Sequence, residues 1–462
     1  MSAKTLPVKA GDQVKLQIHG LNHSGEGVGR CQGLAVFVPF TVPGEEALVR
    51  ITQVKKNFAR GELLKVVEAG AFRCQPSCAI HGKCGGCQFQ HMDYREQLRV
   101  KKRLVEDSLV RIGKLEGVKV LPTLGMNRPW GYRNKVHFKV ESDGERLFLG
   151  YFEAGTTLQK RLLRVEECYL IGDEMNRVAK VVEELLNSYG TAEPPQQGFF
   201  RHVVLRKSSM SQEIMVVLVT GPEEWPDEQQ SAEELRERCP QVVSVIRNVN
   251  PAKNGVVMGR DSRVLAGKAV LLDEIGGVRF TISAESFFQV NPEQTRVLYE
   301  KVMDYAGLTG RELVIDAFCG IGTISLFLAK KAAKVLGLEI VPEAIKDARE
   351  NARLNKINNT EFIVGKTEEL LPKLYRQGVR PDLVVLDPPR KGCEKAALEA
   401  ISGMGPQRVV YVSCDPGSLA RDLAILAGLG YRTVEVQPVD MFPQTVHVET
   451  IVLIKRAESR MG

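Results

Sequence analysis

The 462-residue chain has no apolar run near the ~18 residues that would read as a membrane span. Its opening segment, MSAKTLPVKAGDQV, has no apolar core of a secretory leader, and no internal repeat or low-complexity tract follows. These absences point away from a helical membrane protein and from a secreted disulfide scaffold, and toward the cytoplasm. There the ten cysteines are more readily metal-bound, catalytic or buried than paired in disulfides. With 44% hydrophobic and 26% charged residues, the chain is long enough for two or three separate cores. Its net charge of +7 suits a polyanionic partner, although ordinary soluble surfaces carry a similar excess.

Shifts of pattern divide the chain into three parts, 1–72, 73–285 and 286–462. Between Lys9 and Gly70, short β-type runs (VKLQI, LAVFVPF, ALVRIT, ELLKVV) alternate with glycine turns, as in a small barrel. Residues 1–73 carry ten Lys/Arg against six Asp/Glu, and the KKNFAR loop sets an aromatic among cations. Such a loop suits a nucleic-acid backbone, or is simply a solvated hairpin. A cysteine cluster follows, and then the amphipathic basic stretch DYREQLRVKKRLVEDSLVRIGK, which reads as a helix over about 93–115 that packs on the C-terminal part. Residues from about 130 to 285 are mostly β-type, interrupted by a Pro-rich helix end at TAEPPQQG. From Glu312 onward strands and helices alternate, the signature of a parallel, doubly wound sheet, and the closing segments YRTVEVQPVD and VHVETIVLIKR form an antiparallel pair.

VIDAFCGIGTISLFLA combines a strand, an acidic residue, a tight glycine loop and a helix. Asp316, Gly320 and Gly322 fall at the carboxyl end of the strand, where open α/β sheets bind ligands and glycine lets the backbone approach closely. The next strand ends in Glu339, placed to accept from ribose hydroxyls. A dinucleotide site would want its third glycine where Ser325 stands, so the pattern favours S-adenosylmethionine. Asp387 in LDPPRKG stands at another strand end. Similar sequences occur in methyltransferases acting on exocyclic amines, which keeps amino-group chemistry as a rival beside a plain rigid turn.

YVSCDPGSLARD places Cys414 at the end of the following strand, on the same edge. Carbon 5 of a uracil is a poor nucleophile, and a thiolate adding to carbon 6 activates it. After methylation a general base must remove the carbon-5 proton so that sulfur can leave. Glu449 in HVET, at the start of the last apolar strand, is a candidate for that base, although its local sequence alone favours an exposed strand-start residue. For Cys414 the bland reading is a small buried hydrophobe. Cys319 and Cys393 are rival nucleophiles better explained as small residues near the pocket.

CAIHGKCGGCQFQH spaces Cys78, Cys84 and Cys87 as a compact ligand loop. Three close cysteines plus a distant fourth suit a cubane iron-sulfur cluster, while zinc with His81 or His91 is the rival. Cys168 is the nearest fourth ligand, Cys31 and Cys239 are weaker ones, and Cys74 has no assigned role.

With SFFQVN, DAFCGIG, DPPRKG, YVSCDP and HVET added to the cysteine cluster and the barrel, the chain resembles the RNA uracil-5 methyltransferase family over nearly its whole length. The resemblance is to the 23S ribosomal RNA branch with an N-terminal TRAM domain. It implies a multidomain fold: an OB-like TRAM barrel, a β-rich central domain with a [4Fe-4S] cluster on Cys78, Cys84, Cys87 and Cys168, and a C-terminal Rossmann-like class I methyltransferase domain. It implies Cys414 as nucleophile, Glu449 as base, and Gln289, Phe318, Glu339 and Asp387 against S-adenosylmethionine. Phe287 becomes a stacking partner for the target or a neighbouring base, and Arg133 and Lys135 face the RNA. Thr323 departs from relatives that carry asparagine after the glycine loop. The implied partner is large-subunit ribosomal RNA, with the protein a cytoplasmic monomer. A transfer-RNA substrate, a cytosine-5 enzyme and an RNA-binding protein with an inactive methyltransferase domain remain the alternatives.

Overall fold

The computed structural model describes residues 6–154, 161–189, 198–252 and 256–457. Of the TAEPPQQG stretch only Gly198 lies within the described residues.

The N-terminal strands form one six-stranded sheet in the order Gln13–Gln17, Glu46–Val54, Phe58–Glu68, Leu34–Val38, Gly27–Cys31, Gly20–Leu21. Alternating residues point inward, and Leu16, Ile18, Val36, Val38, Val49 and Ile51 make its core. Gly61 is required by close packing, since a Cβ there would lie 2.2 Å from Val49 Cγ1.

The central unit is a seven-stranded sheet ordered Leu162–Arg164, Leu147–Phe152, Lys135–Ser142, Phe200–Lys207, Ile214–Thr220, Val242–Val249, Asp261–Gly267. Only the pair Ile214–Thr220 and Val242–Val249 is parallel, with the helix Glu228–Arg238 lying between them in the chain. This helix and Gly172–Tyr189 cover one face, where Val136, Phe138 and Val140 meet Met175, Val178 and Val182.

The C-terminal sheet has eight strands: Thr360–Val364, Lys334–Glu339, Leu313–Ala317, Leu383–Leu386, Arg408–Ser413, Glu449–Arg456, Tyr431–Val439 and Lys119–Val120. The first five are parallel, and Tyr431–Val439 and Glu449–Arg456 form the expected antiparallel pair. Alternate residues feed two cores, Val314, Val385 and Val410 on one face and Ile315, Val384 and Tyr411 on the other. That is why these strands read as continuous apolar runs.

By packing, this C-terminal unit extends beyond 286–462. The basic helix, observed as Tyr94–Arg111, inserts Val105 and Leu109 into its second core. Lys119–Val120 pairs in parallel with Tyr431–Val439 and extends the sheet by one strand. The hairpin Leu271–Ile275/Val278–Ile282 contributes Ile275, Val278, Phe280 and Ile282 to the first core. Among the described residues no helix is long and apolar enough to cross a membrane.

Candidate active site

The parallel strands bring DAFCGIG, LEI, LDPP and YVSC to one sheet edge. Three residues in five positions, Phe318 (φ 67°), Gly320 (φ 54°) and Gly322 (φ 82°), adopt left-handed backbone, which turns the chain sharply after the strand. A Cβ on Gly320 would meet nothing within 4 Å, so its backbone faces open space. At Gly322 a Cβ would press Ala348 and the Phe362 ring at 3.2 Å, so that glycine serves packing.

Glu339 is held by two main-chain N–H groups, Gly320 donating to Oε2 at 3.1 Å and Val341 to Oε1 at 2.9 Å. Asp316 is buried; its Oδ2 accepts from the Ser325 hydroxyl, and its Oδ1 is buried without a partner among the described residues. Burial, with the negative charges of Asp387 and Glu339 against the opposing Ser325 hydrogen bond, raises Asp316 to about 7. Burial raises Asp387 to about 7 as well. Such buried acidity wants hydroxyl donors and a positive charge, and adenosine ribose hydroxyls and a sulfonium fit it.

Cys414 follows the strand Arg408–Ser413 and precedes the helix Pro416–Gly428, whose cap Asp415 accepts from Ser418 N–H at 2.7 Å. Burial, together with the charges of Glu449 and Asp387, raises the Cys414 thiol to about 11, and Arg390 opposes them. Glu449 is buried and raised to about 8, first by burial and then by Asp387, again opposed by Arg390. Cys414, Glu449 and Asp387 therefore share one electrostatic site with Arg390 as its nearby cation. Surrounded by protein groups alone, the thiol and the Glu449 carboxyl are both mostly protonated at neutral pH.

Arg390 and Tyr299 belong to this site and were not singled out from the sequence. Arg390 lies inside DPPRKG, so the motif itself carried the signal. Tyr299 sits on the helix Pro292–Ala306, shares a hydrogen bond with Thr323, and is raised by burial, with Asp387, Asp316 and Glu449 adding to it. The departure at Thr323 thus has a protein partner. The rival cysteines are packing residues: Cys319 lies under Gly337, where an added Cβ would be 2.9 Å from its sulfur, and Cys393 is buried against Tyr411 at 3.6 Å.

The loop ahead of Glu449 is tied down from all sides. Lys101 Nζ ion-pairs with Asp440 and donates to Phe442 O at 3.0 Å; Tyr94 hydroxyl donates to Asp440 at 2.9 Å. Asn291 donates to Met441 O at 3.0 Å and Tyr132 to Pro443 O at 3.1 Å.

Phe287, in SFFQVN, is 72% exposed, while its neighbour Phe288 is in the core. A large ring left in solvent suits stacking. Arg206 donates to Ser286 O and fixes this loop from the central sheet, and Asn134 donates to Gln289 O at 3.1 Å. Lys135 lies directly across the strand pair from Arg206. Burial, then Arg206 and Arg133, lower Lys135 to about 7, a crowd of cations around an incompletely solvated lysine. Arg206, which the sequence did not flag, thus joins Arg133 and Lys135 beside the exposed Phe287.

Cys78, Cys84, Cys87 and Cys168 are unpaired and half-buried. They converge from two stretches of chain, since Cys84 feels Cys168 and Cys78, and Cys87 feels all three others. Burial drives Cys87 up to about 12. The chemistry of this set, four neighbouring thiols around a loop, fits a soft metal centre. Their arrangement does not yet form a ligand group: among the described residues no three His, Cys, Asp or Glu side chains are placed to hold a metal ion. Cys74 stands apart, its sulfur 3.4 Å from Gln90 O. His81 and His91 contact one another at 3.3 Å, and burial pushes both down, to about 4 and about 3.

The sequence signature of the tRNA (uracil-5-)-methyltransferase family matches residues 93–457, and that of the TRAM domain matches residues 7–64. An uncharacterized RNA methyltransferase of Halalkalibacterium halodurans is 46% identical over 458 residues, covering 98% of this chain and 99% of the relative. One from Bacillus cereus is 46% identical over 462 residues, 99% and 100% of the two chains. The crystal structure of Pyrococcus abyssi tRNA (uracil-54, C5)-methyltransferase in complex with S-adenosyl-L-homocysteine superposes with a TM-score of 0.76 at 28% identity, over 96% of this chain and all of that one. On these matches, and with its acidic strand-end pocket flanked by Cys414 and Glu449, the chain belongs to the tRNA (uracil-5-)-methyltransferase family and carries a TRAM domain.

Proposed function

We propose that the protein methylates carbon 5 of a uridine in 23S ribosomal RNA as a cytoplasmic monomer, with S-adenosylmethionine as donor. The observation that carries this reading is the shared site of Cys414, Glu449 and Asp387 at the edge where the glycine loop opens. S-adenosylmethionine supplies an electrophilic methyl and a positive charge. Asp316, Glu339, Phe318, Gly320, Gly322, Gln289 and Asp387 would hold it. A cation beside three carboxyls lowers their pKa values and that of the thiol, which brings Cys414 and Glu449 toward their reactive forms. The Cys414 thiolate adds to carbon 6, and the electron pair moves onto carbon 5 and the carbonyl. Carbon 5 would take the methyl that S-adenosylmethionine supplies, the methyl–sulfur bond breaking to leave S-adenosylhomocysteine; Glu449 then takes the remaining carbon-5 proton, the double bond re-forms, and the Cys414 sulfur leaves carbon 6. Phe287 stacks on the displaced target or its neighbour, and Arg133 and Lys135 hold phosphates. Cys78, Cys84, Cys87 and Cys168 would hold a [4Fe-4S] cluster within the 73–285 region.

RNA containing 5-fluorouridine tests the reading, because fluorine cannot leave as a proton does. Intact protein with S-adenosylmethionine should form a denaturant-stable complex with ribosomal RNA, absent in Cys414→Ala. A second reading, transfer RNA as substrate, is favoured by the tRNA enzyme of Pyrococcus abyssi that superposes on this chain. An adduct with transfer RNA and none with ribosomal RNA would establish it. No adduct with either would reduce the chain to an RNA-binding or amino-group methylating protein.

A further inference from the structure

A cleft of about 390 Å³ runs between the TRAM barrel and the helix Tyr94–Arg111. Its floor is apolar: Leu21 of the barrel and Val100 and Leu104 of the helix share one cluster with Phe89 and Met92. Its rim is cationic, with Arg30 from the barrel and Arg103 and Arg111 from the helix. Asp107 is the single carboxylate among the lining residues, so three arginines less one aspartate leave +2.

Arg30 and Arg111 are weakly committed. Arg30 donates to a neutral group, Gly33 O, at 3.0 Å. Arg111 meets Asp107 at 3.4 Å with its side chain 77% exposed, and Arg103 shares Glu96 with Arg99. The exposed Arg111–Asp107 pair contributes little and yields readily to a stronger anion, whereas Arg103 pairs with the buried Glu96 carboxylate, which Arg99 also neutralises. The volume suits about one nucleotide. The aliphatic side chains of Leu21, Val100 and Leu104 accept any base, and an arginine rim with fork-shaped donors matches phosphate.

The helix spacing links the cleft to the reaction. Val100, Arg103, Leu104, Asp107 and Arg111 lie on one face, while Gln97 and Lys101, one turn apart on an adjoining face, hold the Glu449 loop. A strand gripped here is anchored on the element that positions the base.

We propose that this cleft is a second RNA-binding site, which seats a single-stranded segment of the substrate away from the target uridine, one base on Leu21 and Leu104 and its flanking phosphates on Arg30, Arg103 and Arg111. The inference rests on RNA being the substrate.

The test compares full-length wild-type protein, the triple variant Arg30→Gln/Arg103→Gln/Arg111→Gln, and Lys55→Gln/Lys56→Gln in the KKNFAR hairpin. Dissociation constants for the trapped RNA are measured over a range of salt. Each lost single-strand phosphate contact removes about 0.7 from the slope of log K against log salt, so the triple variant should lose roughly 2. Its adduct rate at saturating RNA should stay at the wild-type value. RNA carrying 4-thiouridine should cross-link to peptides spanning 19–30 or 100–111. An unchanged slope in the triple variant with cross-links elsewhere, or a slope lost only in the lysine variant, would overturn the proposal while the wild-type adduct leaves the methyltransferase reading standing. Failure of the wild type itself to form any adduct marks the other failure, that of the proposed function.

Discussion

Gln97 and Gln444, 347 positions apart, are joined through both ends of the Gln97 amide: Nε2 donates to Gln444 Oε1 at 3.0 Å, and Oε1 accepts the Gln444 N–H at 3.1 Å. Gln444 holds a left-handed backbone (φ 69°), and its carbonyl accepts from Gln88 N–H at 3.0 Å and Phe89 N–H at 2.9 Å. One residue five positions before Glu449 thus ties the basic helix and the cysteine segment to the loop that leads into Glu449. In Gln97→Leu the freed Gln444 groups stay buried, at a cost of about 1–3 kcal/mol. We expect turnover to fall at least tenfold with S-adenosylmethionine affinity unchanged. Adduct with ordinary RNA should accumulate, the outcome also expected for loss of the proposed base Glu449. A variant that is merely less stable, with no adduct, would assign the pair a structural role only.

Glu449→Gln keeps the shape of the site and removes the proposed base. Turnover should drop by roughly 10²–10⁴. Unmodified RNA should then remain bound to Cys414 through denaturing electrophoresis. Loss of turnover without any trapped species would move the base elsewhere.

The raised carboxyls make a prediction about protons. Asp316 and Asp387 stand near 7 and Glu449 near 8, so the folded protein holds protons that the unfolded chain releases. Stability should therefore decline as pH rises from about 4 to about 8, most steeply at about pH 5–6, where the native carboxyls still hold their protons and the unfolded ones have lost them, and flatten as the native groups ionise near 7 and 8. Binding a sulfonium reverses the preference and expels protons. Calorimetry at pH 7 in buffers of different ionisation enthalpy should show proton release with S-adenosylmethionine and less with S-adenosylhomocysteine, which lacks the positive sulfur. Equal release by the two would separate the carboxyls from the cation.

Lys101 and Asp440 form an ion pair in which both side chains are 0% exposed. Lys101→Met strands the Asp440 carboxylate, and a loss of about 3–5 kcal/mol should appear in chemical denaturation. The double variant Lys101→Met/Asp440→Leu should recover much of it. Recovery of stability without recovery of turnover would show that the pair serves the Glu449 loop.

Protein prepared without oxygen should show iron, sulfide and a broad absorbance near 400 nm, lost in Cys87→Ser and Cys168→Ser. Since Gln88 and Phe89 bind Gln444, loosening the cysteine loop should raise hydrogen exchange in residues 440–448. Zinc without sulfide would replace the cluster with the rival site.

Much of the site was legible because its residues end successive parallel strands, and that topology collects strand ends on one edge. Asp316, Glu339, Asp387 and Cys414 each announced themselves by a local pattern of apolar run, polar residue and turn. The two-sided burial of the C-terminal sheet was equally visible in its unbroken apolar strands. The hairpin Leu271–Ile275/Val278–Ile282 was not, because an alternating pattern says that one face is buried but not which core buries it.

The amino-acid sequence by itself determined the order of elements, the strand-end chemistry and the clustering of Cys78, Cys84 and Cys87, all of which depend on neighbours within a few positions. Only the tertiary structure decided that Arg390 brings its positive charge near Cys414 and Glu449, that Tyr299 meets Thr323, and that Cys168 joins the distant cysteines. It also decided that Gln97 and Lys101 of the basic helix hold the loop ahead of Glu449. These are contacts between segments far apart in the chain, selected by the packing of whole elements, and no local periodicity encodes them.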